Sequence, residues 1–200
     1  MLVIGLTGPS GAGKGTVADL LREYGLSVID ADRVYHALLI PPSPCLDALC
    51  KRFGKGILTA DGTLDRKMLG GLVFSDPAAL QDLNSIAHRF VMDKIRAQLR
   101  QLEANGHRAA VIDAPQLFEA GADKDCTAVI AVLADENLRV ERIVRRDGIP
   151  AQAALQRIRA QKEESFFRTH SNYIIENNGT AEELRPQVRQ ILMETGVLPE

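Results

Sequence analysis

The stretch Gly8-Pro9-Ser10-Gly11-Ala12-Gly13-Lys14-Gly15-Thr16 constrains this chain more than any other. It follows the short apolar run Leu2 to Leu6 and leads into the amphipathic segment Val17 to Tyr24. That order predicts a strand, a glycine-rich loop and a helix. Glycines at 8, 11 and 13 let successive backbone N–H groups turn inward with no Cβ in the way, and the following helix N-terminus reinforces the positive field of that nest. Lys14 adds a mobile cation that can follow a β- or γ-phosphate. The stretch meets the P-loop template Gly-x-x-x-x-Gly-Lys-[Ser/Thr] except at its last position, where Gly15 stands before Thr16. Nucleotide contacts are therefore expected from Gly11, Ala12, Gly13, Lys14, Gly15 and Thr16. Thr16 is the loop residue expected to meet Mg²⁺, through its hydroxyl or an ordered water.

A chain of 200 residues suits one domain with an insertion, or two small lobes, and can bury a substantial core. A formal net charge of −2 gives no electrostatic case for nucleic acid or an anionic membrane as the main partner. The longest uninterrupted apolar run, Ala128 to Ala134, is far too short to span a bilayer, and the N-terminus enters a core strand directly, so a cytoplasmic protein is expected. Cys45, Cys50 and Cys126 are odd in number and lack Cys-x-x-Cys spacing, so they read as reduced, mostly buried thiols.

Beyond the first helix, Leu26 to Ile29 reads as a short strand ending in Asp30-Ala31-Asp32. In an open parallel α/β sheet, ligands gather at the carboxyl ends of the strands, which draws attention to both carboxylates. From Arg33 the pattern becomes helical without a convincing strand, over about Ala31 to Leu38, Pro44 to Phe53, Asp65 to Val73, and Pro77 to Glu103 with a break near His88. The chain returns to strand at Ala109 to Asp113, an apolar run ending in an acid, in the form of a Walker B strand. Thr127 to Leu133 is the next strand. Helices follow over Asn137 to Arg146 and Ala151 to Phe167, then a short strand at Asn172 to Ile175, an Asn177-Asn178-Gly179 turn and a closing helix from Ala181 to Met193. Five strands, four of them leading into helices, predict an α/β fold with a five-stranded parallel sheet. The expected division is a nucleotide-binding core of residues 1–32 and 108–200 with a helical lid at about 139–165, and an inserted helical lobe of residues 33–107.

Phosphoryl transfer needs a phosphate cradle, a metal, a group that orients or deprotonates the acceptor, and cations for the transferring group. Lys14 and the nest supply the first. Asp32 is the expected proton acceptor, with Asp30 as its neighbour; the bland alternative is that Asp32 caps the helix that starts there. Arg142 and Arg146 lie four apart on one helix face, with Arg139 three before Arg142, a row able to close over phosphates and exclude water. His88 is a candidate acceptor contact against the commoner structural role of a helix histidine.

With these residues laid out, the sequence resembles the dephospho-coenzyme A kinases, P-loop enzymes of the nucleoside monophosphate kinase type. The resemblance runs almost the whole length. It rests on Ile4-Gly5-Leu6-Thr7-Gly8, Val28-Ile29-Asp30-Ala31-Asp32, Asp61-Gly62-Thr63-Leu64-Asp65-Arg66, Leu83-Asn84 with His88, Asp113-Ala114-Pro115-Gln116-Leu117-Phe118-Glu119, Arg145-Arg146-Asp147 and Asn177-Asn178-Gly179. It implies transfer of the γ-phosphoryl group of ATP, with Mg²⁺, to the ribose 3′-hydroxyl of dephospho-CoA, the last step of CoA biosynthesis. It also implies a core, an acceptor-binding lobe and a lid. Asp32 matches the family's base, Lys14 its loop lysine and Arg142 its lid arginine, while Asp30, Asp65, Arg66 and His88 fall where the acceptor is expected. Where the family usually reads Gly-Gly-Ile-Gly-Ser-Gly-Lys-Ser-Thr, this chain has Pro9-Ser10 and Gly15, as adenylate kinases do for the proline and second glycine. The partner expected is dephospho-CoA, with no nucleic acid or membrane, and the chain a monomer or weak homo-oligomer. A small P-loop kinase acting on a nucleoside monophosphate or small alcohol is the nearest alternative. A P-loop switch lacks support because the chain contains neither Asp-x-x-Gly nor Asn-Lys-x-Asp, and a nucleotide binder without turnover stays open because of Gly15.

Overall fold

The computed structural model describes residues 1–199; Glu200, the last residue of the expected core, lies outside the described residues. Five strands, β1 (Leu2–Thr7), β2 (Ser27–Asp30), β3 (Ala109–Asp113), β4 (Ala128–Leu133) and β5 (Tyr173–Glu176), form one parallel sheet in the order β2-β3-β1-β4-β5. The described helices are α1 (Lys14–Glu23), α2 (Ala31–Ala37), α3 (Pro44–Phe53), α4 (Arg66–Val73), α5 (Pro77–Ala104), α6 (Glu136–Asp147), α7 (Ala151–Arg159), α8 (Glu164–His170) and α9 (Ala181–Glu194). The chain divides into two compact units. One comprises Met1–Ile29 and the residues from Leu102 onward, the other Asp30–Gln101.

In the first unit, every residue of β3 and β4 is buried, which explains why both read as continuous apolar runs without alternation. Leu2 to Leu6 of β1 stand opposite Ala109 to Asp113 of β3, and Ile4 to Thr7 stand opposite Ala128 to Ala131 of β4. The central β1 is thus flanked by a strand on each side, and the strand order reverses there. A crevice at the carboxyl edge follows from that reversal. Val17, Ala18, Leu20 and Leu21 give α1 its buried stripe, and Leu184, Val188, Ile191 and Leu192 do the same for α9. These two stripes pack with Ile4, Leu6, Val111, Ile130 and Val132 in one apolar core. Each such Leu or Ile contributes about 1.5–3 kcal/mol by leaving water.

The second unit is built by helix caps. The Asp30 carboxylate accepts the Arg33 N–H at 3.0 Å and so starts α2. Ser43 does the same for α3 through the Leu46 N–H, with Pro44 at the first helical position. Asp65 accepts from both Lys67 and Met68 N–H at 2.9 Å to start α4. The turn Thr59 to Thr63, with Gly62 at φ +80°, returns the chain so that Leu58 bridges Leu64 and delivers Asp65 to that cap. Leu39, Cys45, Leu49, Ile57, Leu69 and Val73 form this unit's core.

Two expectations are corrected. The helix expected over Ala151 to Phe167 is two helices: the Gln161 N–H bonds to Ile158 O in a tightened last turn, and Glu163 is extended with ψ 158° before α8 begins. The break expected near His88 does not occur. No Gly or Pro interrupts that stretch, and the buried stripe Ala87, Val91, Met92, Ile95 continues through it, so α5 runs unbroken for 28 residues. Among the described residues, no helix is long and apolar enough to cross a membrane.

Candidate functional site

The loop after β1 is shaped by three glycines, each required by a different neighbour. Gly8 has φ +145°, and a Cβ there would strike the Val132 carbonyl of β4. Gly11 has φ +80°, and a Cβ would lie 2.6 Å from the Arg139 carbonyl of α6. Gly13 is left-handed at φ +89° as the cap of α1, and a Cβ would collide with the Asn177 amide. At Gly15 a Cβ would meet nothing within 4 Å. Backbone freedom and close approach thus account for the first three glycines, whereas no crowding explains the fourth.

Lys14 begins α1 and its ammonium donates to the Asp113 carboxylate at the end of β3, forming an ion pair that is largely buried on both sides. The register explains the meeting. Asp113 stands opposite Leu6, one residue before the end of β1, so the acid that closes one strand is delivered beside the loop that follows the other. Thr16 is exposed in the first turn of α1. Thr7, at the end of β1, is fully buried and donates its hydroxyl to Pro115 O at 3.3 Å.

The arginine row on α6 divides into three different environments. Arg142 reaches the loop and donates to Gly11 O at 3.4 Å, Ala12 O at 3.5 Å and Asn177 O at 3.0 Å. Arg139 is buried, donates from Nε to Ser10 O at 3.0 Å, and burial holds its guanidinium below the ordinary arginine value, with Glu136 and Glu164 opposing that shift. Arg146 turns away to Asp147, 2.7 Å from its carboxylate, and that bond raises its value. Asn177, buried after β5, donates its amide to Ala12 O at 2.7 Å. The Asn177-Asn178-Gly179 signal marks a turn and part of the family resemblance, but not that its first amide reaches the loop. Ser10, inside the loop stretch, and Gln161 also join this network, and nothing local in the sequence singles out Gln161, which lies 151 residues further on.

In the second unit, Asp30 is occupied as the cap of α2 and lies 3.5 Å from Arg33. Asp32 is therefore not the helix cap. Its exposed carboxylate sits in the first turn of α2 and is unpaired among the described residues. Asp65 is occupied by its own cap, and Arg66 approaches His36 Nε2 at 3.4 Å. His88 lies midway along α5 and is half-buried.

The three cysteines are free thiols: Cys45 is buried, and Cys50 and Cys126 are partly exposed. Burial, with Asp125 and Asp123 adding to it, pushes Cys126 up to about 12, so it stays protonated and non-nucleophilic at neutral pH. No group of three His, Cys, Asp or Glu among the described residues could hold a metal as an all-protein cage. The cradle, its lysine and the neighbouring arginines are suited to binding a polyphosphate and stabilising charge on it.

The dephospho-CoA kinase family model matches residues 2–183. A dephospho-CoA kinase of Syntrophotalea carbinolica is 39% identical over 188 residues, covering 94% of this chain and 89% of that protein. A solved structure from Thermus thermophilus superposes with a TM-score of 0.82 at 33% identity, covering 96% of this chain and 97% of that one. The dephospho-CoA kinase of Campylobacter jejuni does so with a TM-score of 0.71 at 26% identity, covering 98% of each. The family is one of P-loop kinases, which use nucleotides. Given a match of that extent on a P-loop fold with its lysine in place, the chain belongs to the dephospho-CoA kinase family.

Proposed function

We propose that this chain transfers the γ-phosphoryl group of ATP to the 3′-hydroxyl of dephospho-CoA, giving CoA and ADP. The observation that carries the reading is the ion-paired Lys14 in a glycine cradle, on a chain that belongs to this kinase family. The loop amides of Gly11 to Thr16 and the Lys14 ammonium hold the β- and γ-phosphates. Asp32 takes the proton from the 3′-hydroxyl as the oxygen–phosphorus bond forms and the bond to the β-phosphate oxygen breaks. Its exposed, uncommitted carboxylate supports that role, since Asp30 already serves the helix. Arg142 exchanges its long contacts to the Gly11 and Ala12 carbonyls, and its bond to Asn177 O, for the charge that develops on the transferring group.

The residues fit a magnesium ion that arrives with the nucleotide. Mg²⁺ keeps several waters and takes one or two protein oxygens plus phosphates rather than a protein cage. Thr16, exposed in the first turn of α1, would supply a hydroxyl or hold a water, and Asp113 a carboxylate. When bound, the ion would neutralise charge on the β- and γ-oxygens.

The acceptor is assigned to the Asp30–Gln101 unit, through Asp30, Asp65, Arg66 and His88, and residues from about 139 to 165 act as the lid. The enzyme is taken to be cytoplasmic and to work as a monomer or weak homo-oligomer. The test is mass-spectrometric detection of products after incubation with ATP, Mg²⁺ and dephospho-CoA, beside parallel reactions with AMP, CMP and adenosine. Conversion of dephospho-CoA alone is expected. Phosphorylation of a monophosphate instead would overturn the substrate assignment.

A further inference from the structure

Ser10, at the crest of the phosphate loop, has each of its polar atoms engaged from outside the loop. Its N–H donates to Gln161 Oε1 at 3.0 Å, and its hydroxyl accepts from Gln161 Nε2 at 3.0 Å. Its carbonyl accepts from Arg139 Nε at 3.0 Å, and Arg139 Nη2 reaches Gln161 Oε1 at 3.4 Å to close the ring. Gln161 can do this because it sits in the break between α7 and α8, where its side chain leaves the helical row.

The need for such a clasp follows from the loop's composition. Gly8, Gly11 and Gly13 all adopt positive φ, and a loop so rich in glycine loses much conformational entropy when it is ordered. Only conformers with all amides turned inward bind a phosphate. Apparent affinity falls in proportion to the fraction of such conformers. Holding Ser10 at both its N–H and its hydroxyl restricts the segment between Gly8 and Gly11 to one course.

We propose that Gln161 is a positioning residue of the nucleotide site: it clasps Ser10 and thereby pre-forms the phosphate cradle. This rests on the kinase reading only in taking the loop as the nucleotide site. The clasp also joins the end of α7 to the loop, so α6 and α7 are tied to the cradle at both Arg139 and Gln161.

The experiment measures ADP binding to the full chain by calorimetry, with no acceptor present, so failure of the dephospho-CoA assignment would leave it unaffected. Gln161→Ala is expected to weaken ADP about tenfold, the loss from about two hydrogen bonds of ordinary net strength. Ser10→Ala keeps the bond from its N–H and should weaken ADP about threefold. In the Gln161→Ala background, Ser10→Ala should have no further effect, because the two side chains act as one pair. Gln161→Glu retains an acceptor for the Ser10 N–H, lets the hydroxyl donate instead, and should recover ADP affinity to within about threefold. Unchanged ADP affinity in folded Gln161→Ala, or losses that simply add, would overturn the proposal. A lowered Tm with ADP affinity intact would do the same, by showing a purely structural role. Should Gln161→Ala fail to fold, Ser10→Ala and Gln161→Glu read the same pair.

Discussion

Lys14 and Asp113, 99 residues apart in the chain, form an ion pair at the carboxyl edge of the sheet. The parallel register of β1 and β3 makes this meeting, since Asp113 stands beside Leu6 and the loop starts two residues later. The lysine proposed to serve phosphate is therefore anchored by the acid closing the neighbouring strand. Asp113→Ala should destabilise the fold by about 1–3 kcal/mol, because a charge-assisted bond is lost from a largely buried site. Urea unfolding at neutral pH checks this. A midpoint equal to that of the parent chain would show that the pair adds nothing.

Asp32→Asn should lower turnover with dephospho-CoA by at least ~100-fold, the scale of a general base, while ATP affinity stays within about threefold. Steady-state kinetics and ATP titration give the two numbers. Parent-level turnover in that variant would remove Asp32 from the chemistry.

Arg142→Ala should lower kcat about 100-fold and raise the KM for ATP far less, because the guanidinium is proposed to meet charge that develops during transfer. An effect confined to KM would make Arg142 a ground-state binding residue.

The loop glycines are not equivalent. Gly13→Ala places a Cβ on the Asn177 amide in a left-handed conformation and should cost about 1–3 kcal/mol. Gly15→Ser enters open space in the first turn of α1 and should change stability by no more than about 1 kcal/mol in the favourable direction, as a helical glycine is replaced. The added hydroxyl should also lower the Mg²⁺ concentration needed for half-maximal turnover. Thermal unfolding and a magnesium titration separate the two effects.

Asp147 gives the α6–α7 segment a measurable acid limit. Hydrogen bonds from Arg146 first, then Arg157, hold its carboxyl at about 2 against an ordinary 3.8. Because the folded value is depressed, the stabilisation is present above about pH 4 and is lost as pH falls through about 2. An NMR titration should find that midpoint, and Asp147→Asn should narrow the difference in urea midpoint between pH 5 and pH 2. A midpoint near 3.8 would mean that the ion pairs do not persist in solution.

The phosphate loop, the parallel sheet and the acid at the end of β3 are legible in the sequence. These are written in short runs whose meaning is local: glycines where a Cβ cannot fit, a lysine at the helix start, apolar strands buried on both faces. It also carried Asp30 and Asp32 to the end of β2, but not their separate duties, since either carboxylate could cap a helix starting there. Backbone geometry gave the cap to Asp30. Spacing likewise placed Arg139, Arg142 and Arg146 in one row, whereas packing buried Arg139 at Ser10, set Arg142 over Gly11 and Ala12, and left Arg146 to Asp147. Gln161 and Asn177 reach the loop only once the chain has packed. Hydrogen bonds across more than 150 residues depend on where strands and helices are brought together, which no local pattern of residue types encodes.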